Sequence, residues 1–170
     1  MHFFFEKKDH DNQELVEQII LENYNQYYRL AYSYVHNEAD ASDIVQTGAY
    51  KAIKRSHTLK DAEYAGTWVY RIMLNECFNS ARKTEMLSLE AIQEEGVSLA
   101  CSEDSYQDID LQRAIDHLPS EDKAVITLRY FEDKKIEEIA QILDVNINTV
   151  KSRLYRSMKK LRDALSDTGK

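Results

Sequence analysis

The sequence predicts an all-α protein of two small helical domains joined by an acidic, flexible linker, with a helix-turn-helix in the second domain. One observation is the scarcity of turn-forming residues, because the 170 residues include only four Gly and one Pro, and strand-rich chains need many turns. A second is that apolar residues recur at helical spacing in both halves of the chain. A third is that a stretch without this spacing, and without Lys or Arg, separates the two halves.

Composition narrows the class of protein further. The chain is 43% hydrophobic, which is enough for a packed core. Cys77 and Cys101 are too few for a disulfide framework and are typical of reduced thiols in a cytosolic chain. No apolar run approaches the ~18 residues of a membrane span, and the HFFF of residues 2–5 is too short for a signal peptide core. We therefore expect a soluble, cytoplasmic protein that does not insert into a membrane.

The N-terminal domain, residues 1–83, is predicted to consist of helices. Its first apolar residues at helical spacing are Leu15, Ile19, Tyr27, Leu30, Ala31 and Tyr34. The HNEADASD stretch predicts a turn and a new helix, with Asp40 and Asp43 near its positive end. An apolar stripe on this helix is formed by Ile44, Gly48 and Ala52. Its polar face is formed by Asp43, Gln46, Thr47 and Tyr50.

The next helix is predicted from about Ala65 to Lys83 and has two different sides. The side expected to be buried carries Ala65, Trp68, Val69, Ile72 and Met73, and the polar side carries Arg71, Asn75, Asn79 and Arg82. Aromatic residues cluster where the helix begins, at Tyr64, Trp68 and Tyr70. Cations hold phosphates, aromatics stack on bases and amides bond to base edges, so the mixture suits unpaired nucleic acid. Aromatic residues near a helix start are also common core residues, and both interpretations stay open.

Residues 84–109 are predicted to be the linker, with one helical turn near Ser88 to Gln93. No Lys or Arg lies between Lys83 and Arg113, and the acids of this gap equal the net charge of −8. They are Glu85, Glu90, Glu94, Glu95, Glu103, Asp104, Asp108 and Asp110. The segment fits either a solubilising tether or a strand that mimics nucleic acid in a basic channel of a partner.

The C-terminal domain, residues 110–170, carries the more specific pattern. LPSED predicts a helix start with Ser120 as its N-cap, and the following KAVITLRYF keeps helical spacing through Ala124, Leu128 and Phe131. KIEEIAQIL then places four apolar residues on one face, Ile136, Ile139, Ala140 and Leu143. A DVN turn follows, in which Asn146 is expected to cap the next helix. Two short helices joined by about three residues form a helix-turn-helix.

The last helix, NTVKSRLYRSMKKL, is basic within an acidic protein, since the chain from Asn146 onward has seven Lys or Arg and two Asp. Its apolar seam is predicted to be Val150, Leu154, Met158 and Leu161, and the opposite side carries Lys151, Ser152, Tyr155, Arg156 and Lys159. The second helix of a helix-turn-helix enters the major groove of DNA. We therefore expect the polar side to meet phosphates and guanine edges. An ordinary solvated basic helix is the alternative.

Taken together, these motifs make the chain similar to the extracytoplasmic-function sigma factors, the small promoter-recognition subunits of bacterial RNA polymerase in the sigma-70 superfamily. ASDIVQTGAYKA resembles their polymerase-binding helix, and TWVYRIMLNECFNSARK resembles the helix that grips the −10 promoter element. The stretch from LPSEDKAV to NTVKSRLYRSMKKLR resembles the domain that reads the −35 element. The resemblance extends from about residue 14 to residue 165.

The resemblance implies three sets of site residues and no catalytic residue, cofactor or metal. The −35 duplex would be contacted by Asn148, Thr149, Lys151, Ser152, Tyr155, Arg156 and Lys159. The unpaired −10 strand would be bound by Tyr64, Trp68, Arg71, Asn75, Asn79, Arg82 and Lys83. Core RNA polymerase would be bound by Asp43, Gln46, Thr47 and Tyr50. The loop from Ser56 to Gly66 would receive a flipped promoter base, with His57 or Tyr64 lining the pocket, and the linker would run toward the RNA exit path.

The resemblance also implies a partner, a membrane-anchored anti-sigma factor that holds the protein inactive.

The chain departs from the family pattern at Thr47 and Gly48, where an acid usually follows the Gln, and Gly48 is expected to cost the helix about 1 kcal/mol. Asp144 and Asn148 stand where the family often has Gly, and both residue types tolerate strained backbone.

The alternatives to this function are a stand-alone regulator and an enzyme. A stand-alone helix-turn-helix regulator with a helical sensor domain would need neither the polymerase-binding face nor the −10 helix. An enzyme is disfavoured, because the sequence has no Gly-rich phosphate loop and no metal-ligand spacing of Cys and His. Cys77 is interpreted as a small packed thiol.

Overall fold

A computed structural model of the protein describes residues 2–94 and 106–167. Its helices are α1 (His2–Glu22), α2 (Tyr24–Val35), α3 (Glu38–Lys54), α4 (Ala65–Glu94), α5 (Tyr106–Asp116), α6 (Ser120–Ile126), α7 (Ile136–Leu143) and α8 (Ile147–Asp167). Short 3-10 turns at Ser56–Thr58 and Ala62–Tyr64 connect α3 to α4, and a π-helix, Thr127–Phe131, follows α6. The described ranges contain no strand, so the all-α prediction is confirmed. None of the helices in these ranges is both long and apolar enough to cross a bilayer.

The chain divides into two compact units, Met1–Ala81 and Arg82–Lys170. The first unit is built on α1, α2, α3 and the first part of α4. Its most completely buried side chains are Val16, Tyr27, Leu30, Val45, Val69, Met73 and Leu74. The ring of Tyr27 packs edge-on against Tyr70 of α4, with the centroids 5.4 Å apart. This aromatic contact joins α2 to α4 within the core.

The buried side of α1 differs by one residue from the prediction. Leu15 and Ile19 are only half-buried, whereas Val16 and Ile20 are buried. A shift of one residue turns a helix face by about 100°. Both pairs keep the same spacing of four, so the periodicity predicted the helix without deciding between its two apolar sides.

The predicted start and apolar stripe of α3 are confirmed. Asn37 caps the helix, because its side-chain oxygen accepts a hydrogen bond from the Asp40 amide at 3.0 Å. Ile44, Gly48 and Ala52 are all buried. Gly48 has a packing role that its helix propensity did not reveal, since a Cβ at this position would lie 2.4 Å from the Sδ of Met73. The missing side chain lets Met73 of α4 pack directly on the backbone of α3.

The helix predicted to end near Lys83 continues to Glu94. The first part of the segment predicted to be a linker is therefore helical, although Met86 and Leu87 are exposed. Glu, Met, Leu, Ala and Gln, which dominate this stretch, are strong helix formers and favour the continuation of α4. Residues 95–105, which include Cys101, lie outside the described residues. The domain limits at residues 83, 84, 109 and 110 stay predictions.

The second unit packs α5, α6, α7 and α8 around a core that includes Ile115, Leu118, Val125, Leu128, Ile139, Val150 and Leu161. Two predictions in this region are wrong. Ser120 is the first residue of α6 and not its cap, because Pro119 occupies the N-cap position. Phe131 is exposed although Ala124 and Leu128 are buried, since the backbone changes from α to π geometry at Thr127 and moves Phe131 off the buried face.

The helix-turn-helix is confirmed in detail. After α7, Asp144 adopts a left-handed conformation with φ of 56°, and the Val145 amide donates to the carbonyl of Ala140 at 3.0 Å. The side chain of Asn146 then accepts a hydrogen bond from the Asn148 amide at 2.7 Å, which caps α8 as predicted. On α7 the buried residues are Ile139, Ala140 and Ile142, while Ile136 and Leu143 are half-buried.

Candidate nucleic-acid and protein interfaces

The polar face of α8 lies at the surface of the second unit. Asn148, Lys151, Ser152, Tyr155, Arg156 and Lys159 are exposed, and Thr149 is half-buried. The buried line of the helix runs through Val150, Ser157 and Leu161, with Leu154 half-buried. The predicted seam is therefore wrong at Met158, which is exposed. A helix repeats every 3.6 residues, so a buried line advances by four and then three residues. From Leu154 the next position on this line is Ser157, which is buried although its side chain is polar.

Arg156 is bound to a residue of another helix. Its Nε donates to Oδ2 of Asp122 at 3.2 Å and its Nη2 donates to Oδ1 at 2.8 Å. The Asp122 side chain is only 3% exposed and the Arg156 side chain is 55% exposed. The hydrogen bond and the charge of Asp122 raise the pKa of Arg156. The pair was not predictable from a pattern within one helix, because its members are 34 positions apart in the sequence.

The second unit also has an apolar groove of about 580 Å³. It is lined by Leu111, Ile115, Ile126, Tyr130, Phe131, Met158, Leu161 and Leu165, with Arg162 and Ser166. Phe131 and Met158 were predicted to lie on apolar helix faces, and both are exposed and line this groove.

The residues predicted to bind the −10 strand share one face of α4 and the turn before it. Asn75, Asn79, Arg82, Lys83 and Tyr64 are exposed, whereas Trp68 and Arg71 are half-buried. The opposite side of the helix is buried through Ala65, Val69, Tyr70, Met73, Leu74 and Cys77. Trp68 and Ile72 were expected to be buried but are only half-buried. Tyr70 lies in the core, which is one of the two interpretations left open for the aromatic residues at this helix start. The burial of Cys77 agrees with a packed thiol.

The loop from Ser56 to Gly66 is attached to α1 by a buried side chain that sequence analysis did not identify. The Nδ2 of Asn12 donates to the carbonyl oxygens of Ser56 at 3.4 Å and of Leu59 at 3.2 Å. Leu59 is buried beside it, while His57 and Tyr64 are exposed. The sequence signal for this contact was Asn12 itself, a polar residue that lies four positions before the buried Val16 on α1. The loop thus presents His57 and Tyr64 from an anchored backbone.

The predicted polymerase-binding face of α3 consists of four exposed side chains, Asp43, Gln46, Thr47 and Tyr50. Gln46 donates to the hydroxyl of Ser42 at 3.1 Å, and the Nζ of Lys54 lies 5.7 Å from the ring centroid of Tyr50. Beside this face, Lys51 forms an ion pair with Glu76 of α4 at 2.7 Å. The described residues contain no group of three His, Cys, Asp or Glu placed to bind a metal ion.

The fold and these surfaces define a class: helical proteins with a C-terminal helix-turn-helix and a separate N-terminal unit that carries two further exposed polar faces. Residues 19–85 match the family described as sigma-70 region 2, and residues 108–161 match the family described as sigma-70, region 4. The chain belongs to the extracytoplasmic-function sigma factors of the sigma-70 family.

Individual relatives agree with this assignment. The chain is 39% identical to the RNA polymerase sigma factor SigV of Bacillus subtilis over 162 residues, which cover 94% of this chain and 96% of that protein. It is 29% identical to the ECF RNA polymerase sigma factor SigE of Mycolicibacterium smegmatis, over 88% of this chain and 61% of the relative. The solved sigma factor RpoE of Bartonella quintana, in complex with the anti-sigma factor NepR, has a TM-score of 0.67 at 23% identity, and the match covers 88% of this chain and 95% of that one. These findings favour a sigma factor over a stand-alone regulator. Sigma factors are initiation factors of transcription.

Proposed function

We propose that this sigma factor directs core RNA polymerase to promoters by contacting the −35 duplex through α8 and the unpaired −10 strand through α4, while α3 contacts the polymerase. The observation that carries the proposal is that one chain has the exposed basic face of a capped helix-turn-helix and the exposed amide and arginine face of α4. The first lies within the region 4 match and the second within the region 2 match.

At the −35 element, the buried line of α8 leaves its polar side free to enter the major groove with its N-terminal end leading. Asn148 and Ser152 would bond to base edges near that end. Lys151 and Lys159 would neutralise phosphates and release counterions. Arg156 would bond to a guanine, the commonest specific contact of an arginine in the major groove.

At the −10 element, the face of α4 would hold bases that have left the duplex. Extruding a base costs a few kcal/mol, and stacking on an aromatic side chain returns about 1–3 kcal/mol per base. Tyr64 and Trp68 are available for stacking at the start of the helix, Asn75 and Asn79 offer amides to base edges, and Arg82 offers charge to the phosphates. The loop anchored by Asn12 would complete the pocket for a flipped base.

The other partners follow from the family. Asp43, Gln46, Thr47 and Tyr50 would contact the polymerase, which carries out the chemistry, so the chain supplies no catalytic group and works in the cytoplasm. Residues 84–109 would pass through the polymerase toward its RNA exit path. A membrane-anchored anti-sigma factor would cover the same surfaces and keep the protein inactive.

The test is transcription in vitro from a promoter library by bacterial core polymerase with the purified chain. We expect initiation at a limited set of promoters. Asn75→Ala should impair strand opening, measured by permanganate footprinting, more than duplex binding, and Lys151→Ala should do the reverse. Initiation no better than that of core polymerase alone on every template would refute the proposal. Tight binding to duplex DNA without binding to core polymerase would instead favour the stand-alone regulator.

A further inference from the structure

The first turn of α6 connects three helices of the second unit through three consecutive charged residues. Glu121 accepts a hydrogen bond from Arg153 of α8, and Asp122 accepts two from Arg156 of the same helix. The Nζ of Lys123 lies 2.7 Å from Oδ1 of Asp116 on α5, and the Lys123 side chain is only 7% exposed. This turn therefore binds two arginines of α8 through consecutive carboxylates.

The Asp122–Arg156 pair has unequal members. Asp122 is almost entirely removed from water, so its charge requires a partner with good geometry. The planar fork of Arg156 supplies two parallel donors, as in the strongest protein ion pairs. A guanidinium has five N–H donors, and two of them are used by the carboxylate. The others are available to a ligand, because the Arg156 side chain is half-exposed among the residues proposed to meet the −35 element.

An arginine held in this way differs from a free one in two respects. A free side chain loses rotamer entropy when it docks on a base, whereas a held side chain has already lost it. A free guanidinium is also attracted to any phosphate, and such contacts carry no sequence information. The charge of Asp122 offsets that general attraction and leaves the directional hydrogen bonds.

We infer that Asp122 is a positioning residue for promoter recognition: it holds Arg156 in one orientation to read a base pair of the −35 element and suppresses its contacts with phosphates. This inference rests on the proposed function of α8. It predicts that loss of the Asp122 charge lowers discrimination between sequences while binding to unrelated DNA is kept or strengthened. A purely structural role would instead weaken binding to all sequences together.

The test compares Asp122→Asn with Glu121→Gln in the full chain assembled with core polymerase. Both substitutions remove one negative charge from the same turn, but the partner of Glu121 is Arg153, which is 18% exposed and lies outside the proposed −35 set. Binding is measured on a duplex with the −35 element, on its single-base variants and on unrelated DNA, across a range of salt concentrations.

For Asp122→Asn we expect discrimination at one −35 base pair to fall about tenfold. Binding to unrelated DNA should be equal or tighter, with the salt dependence steeper by about one counterion. Glu121→Gln should keep the discrimination of the wild type. Arg156→Ala should abolish discrimination at the same base pair, and adding Asp122→Asn to it should cause no further loss of discrimination.

Folding is checked by hydrogen exchange of α6 and α8. If Asp122→Asn opens these helices, Arg156→Lys is the deciding variant. It keeps the positive charge and leaves Asp122 in place, but it lacks the two parallel donors of the guanidinium. We expect it to lose discrimination at the same base pair. Equal weakening on all sequences, the same effect from Glu121→Gln, or undiminished discrimination in Arg156→Lys would overturn the inference. A wild-type holoenzyme that reads no −35 base pair would refute the proposed function of α8, and the inference would fall with it.

Discussion

Gly48 illustrates how one missing side chain sets the distance between two helices. Glycine in a helix interior normally costs about 1 kcal/mol relative to alanine. At this position a Cβ would come within 2.4 Å of the Met73 Sδ, and Met73 itself is buried and packed. The contact between Met73 and α3 therefore requires glycine at position 48, although glycine lowers the stability of the helix.

We predict that Gly48→Ala destabilises the N-terminal unit, because overpacking a core typically costs about 1–3 kcal/mol and exceeds the gain in helix propensity. Gly66→Ala is the matched control, since a Cβ there meets nothing within 4 Å, and it should be neutral or stabilising. Unfolding in urea, followed by the fluorescence of Trp68, measures both changes. A Gly48→Ala protein at least as stable as the Gly66→Ala protein would contradict the packing argument.

The stability of the same unit should fall in alkali. Burial raises the pKa of Tyr27 above its ordinary value of 10.0, so the hydroxyl keeps its proton in the folded state at a pH where the unfolded chain releases it. This contribution to stability is complete below pH 10 and is lost as the pH rises toward the folded-state pKa. We expect Tyr27→Phe to reduce the loss of stability above pH 10. Urea unfolding at pH 8 and pH 10.5, followed by the fluorescence of Trp68, measures this loss. If the pH dependence of stability is the same in both proteins, Tyr27 is not its source.

The helices differ in how far the sequence determined them. The turn before α3, the turn after α7 and the Asn146 cap were predictable because each signal acts on backbone within three or four residues. The predicted Ser120 cap was wrong, because Pro119 occupies that position. The apolar side of α1 was predicted one residue out of place, and the seam of α8 was correct except at Met158, since only packing against other helices selects Val16 over Leu15 or Ser157 over Met158.

The polar faces of the candidate sites were predictable for the same local reason, because spacing alone assigns Lys151 and Tyr155 to one side of α8. The contacts that support those faces were not predictable. Asn12 reaches the loop at Leu59 and Asp122 reaches Arg156, and each pair is separated by more than 30 positions in the sequence. No pattern within one helix contains that information.

The loop between α3 and α4 provides a test of such a supporting contact. Asn12→Ala should remove the side-chain donor from the Leu59 carbonyl, and losing the partner of a buried acceptor typically costs about 1–3 kcal/mol. The Ser56 carbonyl keeps its hydrogen bond from the Leu59 amide. We expect faster hydrogen exchange in residues 57–64 and weaker opening of the −10 element by the holoenzyme. Gln13→Ala is the control, because the Gln13 side chain is exposed and donates to Glu17 on the same helix. Exchange in the loop that is the same in both variants would show that Asn12 does not anchor it.

The distribution of charge decides how an acidic protein approaches DNA. The net charge is −8, yet the chain from Asn146 onward has seven Lys or Arg and only two Asp. The Debye length at physiological ionic strength is about 8 Å, so the charges close to a phosphate govern its interaction with α8. We therefore expect the effect of Lys151 and Lys159 on DNA binding to depend on their position on the helix and not on the charge of the whole chain.

We therefore predict a difference between two substitutions that change the net charge equally. Lys159→Ala should weaken binding of the holoenzyme to all −35 sequences alike and reduce the slope of log affinity against log salt by about 1, because one phosphate contact is lost. Arg113→Ala removes the same charge from α5, where the side chain is exposed but lies outside the proposed −35 set, and should leave the slope unchanged. Affinity measured between 50 and 200 mM salt on matched duplexes separates the two outcomes. Equal slopes for the two variants would mean that net charge, and not the basic face of α8, governs the encounter with the promoter.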